Sequence, residues 1–225
     1  MFYYDYYSLV LIFPLIIFSL IVQVKMQSTY SKYAKVQNSR MMTGADMART
    51  ILQNGGVLDV TVECIQGKLS DHFDPSKKVI RLSEEVYNGM SVSAIGVAAH
   101  EAGHALQYAK KYAPMYLRSA VVGITSFSSR ILYFVIILSF IIAMPILTDI
   151  AVACFVIIFL FQLITLPVEF NASRRAVQNI SSAQFSEDDV RGVKRVLSSA
   201  AMTYVAAMLI SLGQLLAFLA RSRRD

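Results

Sequence analysis

Two histidines stand four residues apart in the segment His100-Glu101-Ala102-Gly103-His104, and a glutamate follows the first of them. On an α-helix, side chains four residues apart project from the same face, so both imidazoles can bind one zinc ion. Glu101 can then accept a proton from a zinc-bound water during its attack on a carbonyl and pass that proton to the leaving amine. The spacing therefore predicts metal-assisted amide hydrolysis, which requires no serine or cysteine nucleophile.

The residues around this segment favour a metal site over two histidines that merely pack on a helix face. The chain has 3 histidines in all, and two of them are here. A glutamate on a buried helix is costly unless it has a role. Gly103 lowers helix stability by about 1 kcal/mol relative to alanine. A close approach of another backbone near the metal would explain this glycine.

A catalytic zinc ion keeps three protein ligands and one open position, so one further ligand is needed. Glu169 and His72 compete for this place. Glu169 ends an apolar run that returns toward the histidines, whereas His72 lies in the turn-like segment Asp71–Ser76. We favour Glu169, because two packed membrane spans would hold it, and we expect one zinc ion.

The composition indicates a membrane protein. Of the 225 residues, 56% are hydrophobic and only 16% are charged, against about a quarter charged in a typical soluble domain. A helix of about 20 apolar residues crosses a bilayer. Four runs without any Asp, Glu, Lys, Arg or His are candidates: Tyr6–Val24, Ile131–Thr148, Ile150–Val168 and Val196–Ala220.

The net charge of +6 is explained by membrane orientation rather than by nucleic-acid binding, because the basic residues lie mostly beside the apolar runs. Lys25, Lys32 and Lys35 follow the first run, and Arg174 and Arg175 follow the third. The positive-inside rule then places the polar segments in the cytoplasm. The arginine-rich tail after the fourth run opposes this rule if that run spans, so this run either crosses the membrane or packs against it.

The helix and strand patterns suggest how the polar segments fold. Thr43 is a plausible N-cap for a helix to Asn54, and Ser91 for the helix that carries the histidines. Apolar and polar residues alternate over residues 57–64, which predicts a half-buried strand. Lys78–Leu82 is predicted to be the second strand of a hairpin. A turn near Thr148-Asp149 should join the second and third spans.

These features predict an α-helical multi-pass membrane protein with a small α+β catalytic domain. Its expected parts are an anchor at 1–24, a first catalytic part at 25–130 with the histidine helix at about 92–111, a transmembrane hairpin at 131–168, a second catalytic part with the third ligand at 169–195, and a transmembrane or membrane-packed helix with a basic tail at 196–225. Cys64 and Cys154 lie in different parts, so no disulfide is expected.

The chain resembles the YugP-type membrane zinc metallopeptidases and, more distantly, the HtpX-type membrane proteases. The resemblance rests on four segments: Lys68–Pro75, Arg81–Tyr87, Ala99–Ala105 and Leu166–Ala176. It implies a zincin-like domain of the gluzincin type, with a His, His, Glu zinc site whose third ligand lies in a Glu-x-x-Ala-Asp segment after a two-span insertion. Glu169 and Ala172 fit that segment, while Ser173 replaces its Asp. The resemblance also implies that the strand near Lys78–Leu82 is an edge to which an extended substrate adds.

The expected substrate is a peptide or protein, including membrane-associated or misfolded polypeptides, with the lipid bilayer as the other partner. Candidates for contacting the substrate or the developing oxyanion are His72, Lys78, Arg174, Arg175 and Tyr204. An intramembrane protease is disfavoured, because Lys110 and Lys111 follow the histidines too closely for their helix to span. The remaining alternative is a non-catalytic zinc-binding scaffold or transporter, although the apolar runs carry no ionisable groups of the kind transport sites use.

Overall fold

The computed structural model describes residues 6–68, 70–142 and 144–222. Helices dominate this part of the chain, and the strands form one small sheet. The helices are α1 (Tyr6–Ala34), α2 (Gly44–Asn54), α3 (Glu84–Tyr87), α4 (Val92–Ala109), α5 (Ala113–Ile141), α6 (Pro145–Ser182) and α7 (Glu187–Ser222), and the strands are β1 (Thr61–Ile65), β2 (His72–Asp74) and β3 (Val79–Ser83).

The chain divides into two compact units. The first, which we call the membrane unit, comprises the described residues of Met1–Gln23, Tyr116–Leu166 and Thr203–Asp225. The second, which we call the site unit, comprises Val24–Met115 and Pro167–Met202. In the described residues, α1, α5, α6 and α7 are the helices long and apolar enough to span a membrane. The predicted multi-pass helical protein with a small sheet is confirmed at this level.

The break between α5 and α6 lies earlier than the sequence predicted. We expected a turn near Thr148-Asp149, but α5 ends at Ile141 and α6 begins at Pro145. Proline is favoured in the first turn of a helix, where its missing N–H costs no hydrogen bond, and it disfavours helix in the residue before it. Pro145 therefore starts the second helix of the pair.

The sheet corrects the predicted hairpin. Strand β3 lies in the middle, in the order β1-β3-β2. It pairs in parallel with β1, from Thr61 opposite Val79 to Ile65 opposite Ser83, and antiparallel with β2. The segment between β1 and β3 contains β2, so the chain reverses direction twice and β3 runs parallel to β1. Because β3 has a neighbour on each side, the expectation that it offers a free edge to substrate is wrong.

Helix α4 is held firmly within the core of the site unit. The Ser91 side chain accepts a hydrogen bond from the N–H of Ala94 and caps the helix start, as predicted. The predicted helix after Thr43 also forms, with the Thr43 hydroxyl accepting from the N–H of Asp46. Apolar side chains of α2, β3, α4 and α6 form one buried cluster around the helix, including Met47, Ile51, Ile80, Leu82, Ile95, Val168 and Ile180.

Candidate metal centre

The two histidines of α4 face the same side of the helix. Their ring centroids are 4.7 Å apart and the ring planes are nearly perpendicular, at 84°. His104 is buried, and the side chain of His100 is 15% exposed. The four-residue spacing on a regular helix places them in this way, while the buried alanines beside them leave room for close packing. One imidazole therefore remains accessible at the rim of the site.

Glu169 lies beside both imidazoles. Its Oε2 is 3.2 Å from Nε2 of His100 and 3.6 Å from Nε2 of His104, and its side chain is only 2% exposed. One ligand atom from each of these three residues lies within 4.8 Å of the other two. Helix α6 supplies Glu169 two residues after Pro167, at the point where the chain enters the site unit.

The chemistry of these donors fits a metal ion such as zinc. A carboxylate only accepts, and each neutral imidazole has one acceptor nitrogen, so these three acceptors converge stably only around a shared proton or a cation. Two nitrogens and one oxygen form a common catalytic zinc set with a position left for water. Burial lowers the pKa of His104, but its close contact with Glu169 and the negative charges of Glu101 and Glu169 raise the pKa more, so the net direction is upward. The site thus attracts positive charge.

Gly103 allows the two helices to approach closely, as its place in the sequence predicted. A Cβ atom at this position would lie 2.8 Å from the backbone oxygen of Ala172. No alanine could occupy the position without moving one helix. Since Ala172 is three residues after Glu169, this contact brings the carboxylate within reach of the histidines.

The Nδ1 atoms of both histidines also have partners. Ser173 Oγ lies 3.2 Å from Nδ1 of His100, and Gln107 Oε1 lies 2.9 Å from Nδ1 of His104. Ser173 therefore contacts a histidine despite replacing the Asp of the HtpX-type segment. Sequence reasoning missed Gln107, although its position three residues after His104 places it on the same helix face.

Glu101 is 9% exposed, and its negative charge acts on His104. Among the described residues it forms no ion pair or side-chain hydrogen bond. No other described side chain therefore fixes its carboxylate, which is close enough to His104 for its charge to act there. A proton acceptor at this position can serve a reacting water.

The other predicted site residues lie elsewhere or have structural contacts. His72 is exposed, and its Nδ1 lies 2.7 Å from the carbonyl oxygen of Ser70. Lys78 donates to Asp59 at 2.6 Å. Arg174 is exposed, whereas Arg175 donates from Nε to Asn171 at 2.7 Å. Tyr204 belongs to the membrane unit, so its candidacy as an oxyanion donor stays a prediction.

Comparison with known proteins agrees with this chemistry. Residues 8–223 match the model of the family described as "Putative neutral zinc metallopeptidase". The chain is also 46% identical over 197 residues to the "Putative membrane protease YugP" of Bacillus subtilis (strain 168), covering 87% of this chain and 88% of that protein. No solved structure gives a significant match. Nearly the whole chain is covered, and it therefore belongs to this family of neutral zinc metallopeptidases.

Proposed function

We propose that this protein is a zinc-dependent endopeptidase of the gluzincin type, with a zincin-like catalytic domain formed by the site unit. His100, His104 and Glu169 would bind one zinc ion. The observation that carries the proposal is the convergence of these three ligand atoms within 4.8 Å, with the charge of Glu101 acting on His104. Bound zinc would polarise the scissile carbonyl and lower the pKa of a water molecule to near neutral.

In this mechanism Glu101 is the general base. Its carboxylate takes the proton of the attacking water and then delivers it to the amide nitrogen that leaves. Neighbouring Ala102 and Gly103 carry no large side chain, and Glu101 has no fixed partner among the residues described, so the carboxylate is free for both steps. His100 and His104 hold their positions through their Nδ1 contacts.

The site would open to the cytoplasm and act on membrane-associated or misfolded polypeptides. The orientation rests on the lysine and arginine residues that flank the apolar runs. A site unit tethered by spanning helices keeps its substrates near the bilayer surface. The name of the Bacillus subtilis relative, a membrane protease, supports proteolysis at a membrane.

Replacement of the proposed base tests the reaction. In Glu101→Gln both imidazoles and Glu169 remain, so purified protein in detergent should keep one zinc per chain. Cleavage of fluorescent unfolded casein should fall at least about a hundredfold, since general-base catalysis contributes about 10²- to 10⁴-fold. Zinc is measured by elemental analysis and cleavage by fluorescence.

The matched control is Glu84→Gln, which neutralises an exposed carboxylate in the same unit and should change neither reading. Chelation should abolish casein cleavage by the unmodified protein, and added zinc should restore it. Undiminished cleavage by Glu101→Gln would refute the assigned base. Zinc binding without zinc-dependent cleavage in the unmodified protein would instead favour a non-catalytic scaffold or transporter.

A further inference from the structure

We infer that Gln107 is a positioning residue that fixes which nitrogen of His104 faces the metal and ties this histidine to the helix that carries Glu169. The inference rests on the proposed zinc site. Gln107 is fully buried, at 0% exposed, and lies on α4 three residues after His104. Its amide contacts three groups: Nδ1 of His104, the backbone oxygen of Val168 and Oδ1 of Asn171.

Two groups that cannot change their role, one only an acceptor and one only a donor, set the direction of the hydrogen bonds around Gln107. The Val168 carbonyl can only accept, so the group of Gln107 that lies 2.8 Å from it must be the NH₂. At the other end, the guanidinium of Arg175 can only donate, and it lies 2.7 Å from the Asn171 oxygen. The same oxygen accepts from Gln107 at 3.1 Å.

The Gln107 carbonyl oxygen must therefore face His104. At 2.9 Å from Nδ1 it accepts a hydrogen bond, which requires that Nδ1 carry a proton. In the neutral ring the lone pair then resides on Nε2, the nitrogen that lies 3.6 Å from Glu169. The histidine is held in its metal-binding tautomer before any metal arrives.

The same residue connects two ligands that come from different helices. Val168 directly precedes Glu169, and Asn171 follows it by two residues. Gln107 thus donates hydrogen bonds to a backbone oxygen on one side of the ligand and to a side chain on the other. Its carbonyl oxygen meanwhile holds His104 on α4. Loss of the amide would free the imidazole and loosen the α4–α6 contact together.

The test compares two variants of similar side-chain length, of which only one keeps an oxygen that can accept from His104. Gln107→Met keeps the length of the side chain but removes every hydrogen bond. Gln107→Glu keeps an oxygen that can accept from Nδ1 of His104 but removes the NH₂ donor to Val168 and Asn171. Zinc affinity is measured by competition with a chromogenic chelator, using purified full-length protein in detergent.

We expect zinc to bind about 10- to 100-fold more weakly to Gln107→Met, as is usual when the outer partner of a metal-bound histidine is lost. Gln107→Glu should bind zinc more tightly than Gln107→Met, because it keeps an acceptor for Nδ1 of His104. The control Gln53→Met changes an exposed glutamine on α2 and should bind zinc normally. Normal affinity in Gln107→Met, or an equal loss in both Gln107 variants, would overturn the inference.

A second measurement avoids dependence on whether a variant folds. The chain has 3 histidines, so ¹⁵N-histidine labelling gives a spectrum that single substitutions can assign. In unmodified protein loaded with ¹¹³Cd, His104 should show coupling from the metal to Nε2 and a slowly exchanging proton on Nδ1. Coupling to Nδ1 would refute the role of Gln107, whereas failure to bind zinc or cadmium at all would refute the proposed function itself.

Discussion

At the scale of single residues, the third metal ligand is the position where sequence reasoning left two candidates. Glu169 is buried beside both imidazoles, whereas His72 is exposed and contacts the backbone of Ser70. A carboxylate with 2% exposure next to two imidazoles is costly without a cation or a shared proton. The contact geometry supports Glu169.

Substitution of the two candidates should give opposite results. Glu169→Ala leaves only two imidazoles, so purified protein should lose most of its zinc, by more than the roughly 10- to 100-fold typical of an outer partner, and all measurable casein cleavage. His72→Ala should keep one zinc per chain. The reverse pattern, full zinc in Glu169→Ala and metal loss in His72→Ala, would contradict the assignment.

Gly103 offers a test of how tightly the site is packed. In Gly103→Ala the new methyl group would meet the Ala172 carbonyl at 2.8 Å, so we expect a loss of about 1–3 kcal/mol of stability and weaker zinc binding. Gly96→Ala is the matched control on the same helix, because its methyl would contact Val193 at an ordinary 3.4 Å. This variant should keep normal zinc affinity, and its free energy of unfolding should rise by up to about 1 kcal/mol. Chemical denaturation and chelator competition measure both, and normal zinc binding in Gly103→Ala would contradict this view.

At the scale of elements, the sheet determines which strands could bind an extended substrate. A strand joins a sheet only at an edge with unpaired N–H and C=O groups. Strand β3 is flanked by β1 and β2, so the available edges belong to these two outer strands. The antiparallel pair of β2 with β3 is short, from His72 opposite Arg81 to Asp74 opposite Val79.

The start of α4 matters because this helix carries three of the proposed active-site residues. Ser91→Ala removes the side chain that accepts from the N–H of Ala94, and loss of such a cap costs about 1 kcal/mol. The midpoint of unfolding in detergent should fall accordingly, while zinc stoichiometry is kept. Ser76→Ala, at an exposed serine in the turn after β2, is the control and should leave the midpoint unchanged. Equal midpoints for both variants would show that the cap contributes nothing.

At the scale of the whole molecule, the two cysteines test the proposed cytoplasmic orientation of the site unit. Cys64 is exposed and lies in the site unit, while Cys154 is buried in the membrane unit. If the site unit is cytoplasmic, Cys64 should not react with a membrane-impermeant maleimide in intact cells and should react after permeabilisation. Cys64→Ser identifies any labelling of Cys154. Labelling of Cys64 in intact cells would reverse the orientation.

The sequence alone determined the features that depend on local spacing and composition. Four helices capable of spanning were predicted from uncharged runs, because hydrocarbon excludes charge over a fixed length. The histidine pair and Glu101 followed from helical periodicity, and the caps at Thr43 and Ser91 from the need of a helix start for acceptors. These properties are set within about twenty residues of chain.

Only the tertiary structure decided what depends on contacts between distant segments. The strand order could not be read locally, because β1 and β3 each look like half of a hairpin and only pairing defines their direction. The approach of α6 to Gly103 depends on packing two helices whose contacting residues lie more than sixty positions apart in the chain. The role of Gln107 depends on the same packing. A glutamine three residues after a histidine does not by itself indicate a contact with that histidine. Its orientation is defined only when α6 brings Val168 and Asn171 to its NH₂ group.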